Sequence, residues 1–189
     1  MQKVIIALLA TCLAASAGAI SGKVAAGKGN SVVWVETIAG KTFPPPTKLQ
    51  QMDQKSLLFQ PHVIVVQVGT TVEFQNSDKV QHNIFWPSIS GNKKLGHNLG
   101  TWPTGEKRSF KFDNPGVVSL LCNVHPEMSG FVIVSPTPYF ALTDADGNYT
   151  IADVPNGSYT VSAWHEGAKV QSKPVSVSGD AKQDFALAK

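Results

Sequence analysis

Residues 122–128 read Cys122-Asn123-Val124-His125-Pro126-Glu127-Met128. Cys, His and Met recur there at three-residue steps. The run Val117-Val118-Ser119-Leu120-Leu121 leads into the stretch, and Phe131-Val132-Ile133-Val134 leads out of it. Both flanking runs are short, aliphatic and rich in β-branched residues, the pattern of buried strands. The stretch therefore predicts a strand, a tight loop and a second strand. The loop turns three metal-capable side chains toward one point.

Forty residues upstream, Asn76-Ser77-Asp78-Lys79-Val80-Gln81-His82-Asn83 places another imidazole just past a strand. His82, Cys122, His125 and Met128 together supply two imidazoles, one thiolate and one thioether. A trigonal His₂Cys set with a weak axial Met is the donor set of a blue-copper electron-transfer site. Soft sulfur favours Cu(I), and imidazole suits both oxidation states. Two rival chemistries use the same residues less well. A Cys/His hydrolase needs its base oriented by a third polar group and an oxyanion hole, and a tight loop beside Pro126 leaves little room for a substrate. A structural zinc site calls for more Cys or His and has no use for Met.

The rest of the chain extends the β pattern. Val32-Val33-Trp34-Val35, Val63–Val68, Thr71–Phe74, Ser109–Phe112, Tyr149–Ile151, Tyr159–Trp164 and Val175–Val177 are further strand candidates, separated by Gly, Pro, Asn and Asp. No segment carries a sustained helical period; Leu49–Leu58, after Pro44-Pro45-Pro46, comes nearest. Many short strands between frequent turn signals predict an all-β chain of β-sandwiches. Hydrophobic residues make up 42% of the 189, enough for real cores, and the formal net charge of +3 is too small to argue for nucleic-acid binding. Residues 41–136 hold nine Lys/Arg against six Asp/Glu, and residues 137–189 hold four against six. The Pro136-Thr137-Pro138 step reads as the boundary between these zones.

Residues 1–19 read as a secretory signal: Lys3, an apolar run from Val4 to Ala15, and the small-x-small site Ala17-Gly18-Ala19. The apolar run is too short for a membrane span, which needs about 20 residues. Cleavage after Ala19 implies a periplasmic or secreted protein without a span. It also removes Cys12 and leaves Cys122 as the sole thiol, so an intrachain disulfide is ruled out. A lone exported thiol is accounted for once a metal holds it.

Residues 57–135 resemble the cupredoxins, in particular the plastocyanin and amicyanin type. The resemblance rests on Phe59-Gln60-Pro61, Val68–Phe74, His82-Asn83, Phe112-Asp113-Asn114-Pro115-Gly116 and Cys122-x-x-His125-x-x-Met128-Ser129-Gly130. The short step from His125 to Met128 looks like amicyanin. The resemblance implies a Greek-key β-sandwich with one type 1 copper held by His82, Cys122, His125 and Met128. It also implies electron transfer through the edge of His125, with Asn83 pinning the ligand loops by hydrogen bonds. Phe85-Trp86-Pro87 and the segment 88–104, with Lys93, Lys94 and His97, depart from the pattern, so the partner surface is not carried over.

Residues 137–189 resemble a carboxypeptidase-regulatory-like (transthyretin-like) β-sandwich, through Thr143–Ile151, Val154–Val161 and Trp164-His165-Glu166-Gly167. Members of that family open with strands like Ile20–Val24 and Val32–Val35. The expected organisation is therefore a signal at 1–19, a cupredoxin domain at 41–136, and a second small sandwich made of 20–40 and 137–189 around it. The alternative gives 20–40 to the cupredoxin sheet. Asp144-Ala145-Asp146-Gly147 reads as a turn, since its Gly is fourth where a calcium loop needs it sixth, and Pro155 stands twelfth where the loop needs Glu. His62, His97 and His165 are expected not to be ligands. The functional expectation is an exported, non-enzymatic copper protein passing single electrons between redox partners. A periplasmic copper carrier or sequestration protein is the alternative.

Overall fold

The computed structural model describes residues 17–188. Of the expected signal, residues 1–16 lie outside the described residues. In chain order, β1 (Ala17–Ala25) and β2 (Ser31–Val35) come first. Then follow β3 (Gln50–Lys55), β4 (Leu58–Gln60), β5 (Val63–Gln67), β6 (Thr70–Asn76), β7 (His82–Trp86), β8 (His97–Trp102), β9 (Lys107–Phe112), β10 (Gly116–Leu121) and β11 (Ser129–Ser135). The last six are β12 (Phe140–Leu142), β13 (Asn148–Pro155), β14 (Gly157–His165), β15 (Gln171–Val177), β16 (Ala181–Lys182) and β17 (Phe185–Ala186). The helical content among the described residues is one 3-10 turn, Lys93–Leu95.

Two sheets enclose the first core: β5-β11-β10-β7-β8 and β4-β3-β6-β9. Between them pack Phe59, Phe74, Ile84, Trp86, Trp102, Phe112, Leu120 and Val132. β6 shows why: Thr70, Val72, Phe74 and Asn76 alternate inward, one residue in two, as a half-buried strand requires. Two other sheets, β12-β2-β14-β15 and β13-β1-β16 with β17 on β1, enclose a second core of Ile20, Val33, Val35, Ile151, Val161 and Phe185.

β2 is buried along its whole length. Val33 and Val35 face the second core, whereas Val32 and Trp34 face a third apolar cluster with Val63, Ile133 and Trp164. That cluster joins the two sandwiches. β11 shares the property, with Val132 and Val134 in the first core and Ile133 in the joint. A strand covered on both faces reads as a continuous apolar run, which is how both appear in the sequence.

Three features differ from the sequence reading or extend it. Leu49–Leu58, nearest to a helical pattern, is β-structure, because β3 pairs with both β6 and β4. Within the segment 88–104, β8 pairs with β7 although only Trp102 of its six residues is buried, so no alternation announced it. β1 begins at Ala17 and runs through the expected cleavage point, with Gly18 paired to Val154 and the Ala19 amide donating to Asp180 Oδ1 at 3.0 Å. The strands within 20–40 pair with the C-terminal ones: β1 with β13, β16 and β17, and β2 with β12 and β14.

Candidate metal centre

His82 opens β7, Cys122 follows the last residue of β10, and His125 and Met128 lie in the loop before β11. β10 lies between β7 and β11 in one sheet, so these ends meet at one edge of the sandwich. The metal-binding atoms of His82, Cys122 and His125 all lie within 4.8 Å of one another. His125 Nδ1 is 3.1 Å from His82 Nδ1, and Cys122 Sγ is 4.0 Å from His82 Nδ1. The Met128 amide donates to the His125 carbonyl at 3.0 Å, which closes the loop into a tight turn. Met128, Cys122 and His82 are buried, and His125 is half-buried.

The donor set fits copper. The two Nδ1 atoms, 3.1 Å apart, are close enough for one metal ion to bond both. A thiol sulfur and a thioether lie on the same loop. All four donors are present without an anionic oxygen, which favours a soft or borderline metal over Mg²⁺ or Ca²⁺.

Hydrogen bonds fix the donors from behind. The Asn83 amide donates to Cys122 Sγ at 3.4 Å, and its side-chain oxygen accepts from the Asn123 amide at 3.2 Å. Its side-chain nitrogen donates to Asn98 Oδ1 and the Gly100 carbonyl, both on β8. Asn83 thus ties both ligand segments to β8. The buried Gln54 reaches across from β3 and donates to the Asn83 carbonyl at 3.3 Å.

Asp78, which the sequence reading passed over, holds His82. Its Oδ2 accepts from His82 Nε2 at 2.8 Å. An ionised carboxylate only accepts, so Nε2 carries the proton and Nδ1 turns its lone pair toward Cys122 and His125. Asp78 also accepts from the Ser56 and Leu57 amides at 2.6 and 2.9 Å. Those two residues form the β3–β4 turn with φ of 57° and 58°, a left-handed pair that costs energy without glycine and that Asp78 offsets. Partial burial pushes the Asp78 carboxyl up, but the Leu57 amide, the His82 ring and the Ser56 amide outweigh it and hold it below its ordinary value. The available signal was a carboxylate four residues before His82, in a turn.

The other histidines have different partners. His62 pairs with Glu166 at 2.9 Å, His97 stacks on Trp86 and Phe110, and His165 Nδ1 shares a hydrogen bond with Ser31 Oγ. Asp144 caps its turn by accepting from the Asp146 and Asn148 amides. Leu57, on the turn that Asp78 holds, Leu58 just after it, Val80 between Asp78 and His82, and Val124 next to His125 are exposed large hydrophobics.

The chain is similar to known copper-binding proteins. Residues 46–135 match the family of copper binding proteins, plastocyanin/azurin family, and residues 131–188 match the carboxypeptidase regulatory-like domain. A plastocyanin from Scenedesmus fuscus is 31% identical over 78 residues, covering 39% of this chain and 80% of that protein. Amicyanin-alpha from Methylorubrum extorquens is 29% identical over 127 residues, covering 66% of this chain and 98% of that one. Among solved structures, a novel purple cupredoxin from Nitrosopumilus maritimus aligns at 29% identity with a TM-score of 0.41, over 46% of this chain and 99% of that one. The chain belongs to the plastocyanin/azurin family of copper-binding proteins. Cupredoxins generally transfer electrons.

Proposed function

We propose that this protein is an exported one-electron carrier, in which His82, Cys122, His125 and Met128 would hold one copper ion. The observation that carries this reading is the convergence of the two Nδ1 atoms and the Cys122 sulfur, with one of the imidazoles half-exposed. Bound copper supplies a Cu(II)/Cu(I) couple. Asp78 holds His82 in the Nδ1-ligating tautomer, and the Asn83 amide donates to the Cys122 sulfur and steadies the thiolate. Packing on the first core keeps the donors in one arrangement, which keeps reorganisation small when an electron moves. The exposed Val124, next to the half-buried His125, leaves an apolar side chain beside the ring at which a partner can approach.

Four protein donors would leave a bound copper no site for a substrate, so the protein is read as a carrier and not an enzyme. The strand pairing supports a division into a copper domain, residues 41–136, inserted into a second sandwich made of 20–40 and 137–189. An N-terminal leader, ending after Ala17 or Ala19, is read as directing export; no helix among the described residues is long and apolar enough to cross a membrane.

Copper reconstitution tests the central reading. The Cu(II) form is expected to be intensely coloured by sulfur-to-copper charge transfer, and Cys122→Ser is expected to abolish the colour. A colourless Cu(II) complex of the intact chain would overturn it.

A further inference from the structure

The second sandwich touches the first at the strand that follows Met128, and this contact gives it a role. We propose that Trp164 is a positioning residue for Met128: through Phe131, the second sandwich sets where the thioether lies relative to the metal. The proposal rests on the ligand assignment above.

Four observations carry it. Phe131 packs its ring on the buried Trp164 of β14, with centroids 4.9 Å apart. The Phe131 amide donates to the His62 carbonyl at 2.8 Å, and the His62 ring stands edge-on to Phe131 at 5.4 Å. The His62 ring is in turn tied to Glu166, two residues after Trp164, at 2.9 Å. On the opposite face of the strand, Gly130 lies so close to Phe59 that a Cβ on residue 130 would fall 2.7 Å from the Cβ of Phe59. The start of β11 is therefore gripped from both sides, by Phe59 of the copper sandwich and by Trp164 and Glu166 of the other. Met128 ends the loop immediately before it.

The axial ligand is the one that most needs such a grip. Imidazole and thiolate form strong bonds and settle at bonding distance on their own. A thioether binds weakly over a long distance, so its position is set by the backbone that carries it, and axial ligation tunes the potential of such sites. A change at Trp164 then acts on the start of β11, beside Met128, and not on the segments that carry His82, Cys122 and His125.

The test uses the full chain loaded with copper. Trp164→Ala is expected to stay coloured and bind copper. The ratio of its two visible bands and the rhombicity of its electron paramagnetic resonance spectrum are expected to change. Its equilibrium constant for reduction is expected to change about threefold or more, close to 30 mV for one electron. Trp164→Phe is expected to restore most of the wild-type values. If Trp164→Ala does not fold, Phe131→Leu decides, with the same spectral and redox changes expected. A folded, coloured variant with unchanged spectrum and potential overturns the proposal and leaves Trp164 as packing alone. A wild-type protein without the colour overturns the ligand assignment instead, so the two failures are distinguishable.

Discussion

The Asp78 carboxylate accepts a hydrogen bond from Nε2 of the fully buried His82 at 2.8 Å, so a side chain outside the candidate ligand set decides which imidazole nitrogen faces Cys122 and His125. Outer partners of this kind are worth about 10–100-fold in metal affinity. Asp78→Ala is accordingly expected to weaken copper binding by about that factor in a competition titration against a chelator, and Asp78→Asn, which keeps an acceptor, to weaken it less. Unchanged affinity in Asp78→Ala would show that His82 needs no such hold.

The joint between the sandwiches is expected to make them unfold together. Ile133 is buried in that joint, and truncating a buried Ile to Ala costs about 2–5 kcal/mol. Ile133→Ala should lower the midpoint of chemical denaturation by a corresponding amount while Trp fluorescence and circular dichroism still report one transition. Two separated transitions in the wild-type protein would mean that the joint is too weak to couple the halves.

Tyr149 gives the second sandwich a pH limit. Burial, with the nearby Asp184 carboxylate, raises its phenol above the ordinary 10.0, and the hydroxyl donates to the Gln183 carbonyl at 2.6 Å. The folded pKa exceeds the unfolded one, so the protonated phenol stabilises the fold fully below pH 10 and loses that contribution as pH climbs further. Denaturation followed above pH 10 should show stability falling with pH more steeply in wild type than in Tyr149→Phe. That variant loses about 1 kcal/mol at neutral pH through the missing hydrogen bond. Parallel slopes for the two proteins would count against it.

The start of β1 bears on processing. A cut after Ala19 would place the new ammonium on Ile20, which is fully buried between β13 and β16, and an uncompensated buried charge is costly. Ala15-Ser16-Ala17 is also small-x-small, and a cut there leaves the ammonium on the half-buried Gly18 and keeps the Ala19–Asp180 hydrogen bond. Intact mass of the exported protein is expected to fit a chain starting at Gly18, heavier by one Gly and one Ala than one starting at Ile20. A mass matching Ile20 would refute this.

What the sequence made legible follows from how local each signal is. The Cys122–Met128 spacing exposed three donors because one tight loop carries them, and His82 followed from its place after a strand. The all-β architecture was equally visible, since turn residues punctuate short apolar runs. Asp78 was half-visible: its step of four residues to His82 stood in the sequence, but the turn at Ser56 and Leu57 that it also holds arrives from another strand. Gln54 was hidden for a similar reason, as a polar residue on β3 gives no sign that its side chain crosses the sandwich to Asn83. β8 escaped because its outward residues face solvent, and a strand that buries one residue in six carries no period. The role of the joint was invisible as well: a run such as Val32–Val35 announces burial on both faces but not what covers them.

The long reach of β1 sets an order of assembly. Its residues bond to partners far along the chain, as where the Lys23 amide meets Asp184, 161 residues later. Such closure has to wait until the C-terminal strands have been synthesised, whereas every strand pairing of the copper sandwich falls between Gln50 and Ser135. Contacts of smaller sequence separation form at a smaller entropic cost. As the chain emerges, the inner sandwich is therefore able to fold first and draw the two ends of its host together. The inner half then serves as the template on which the outer half closes.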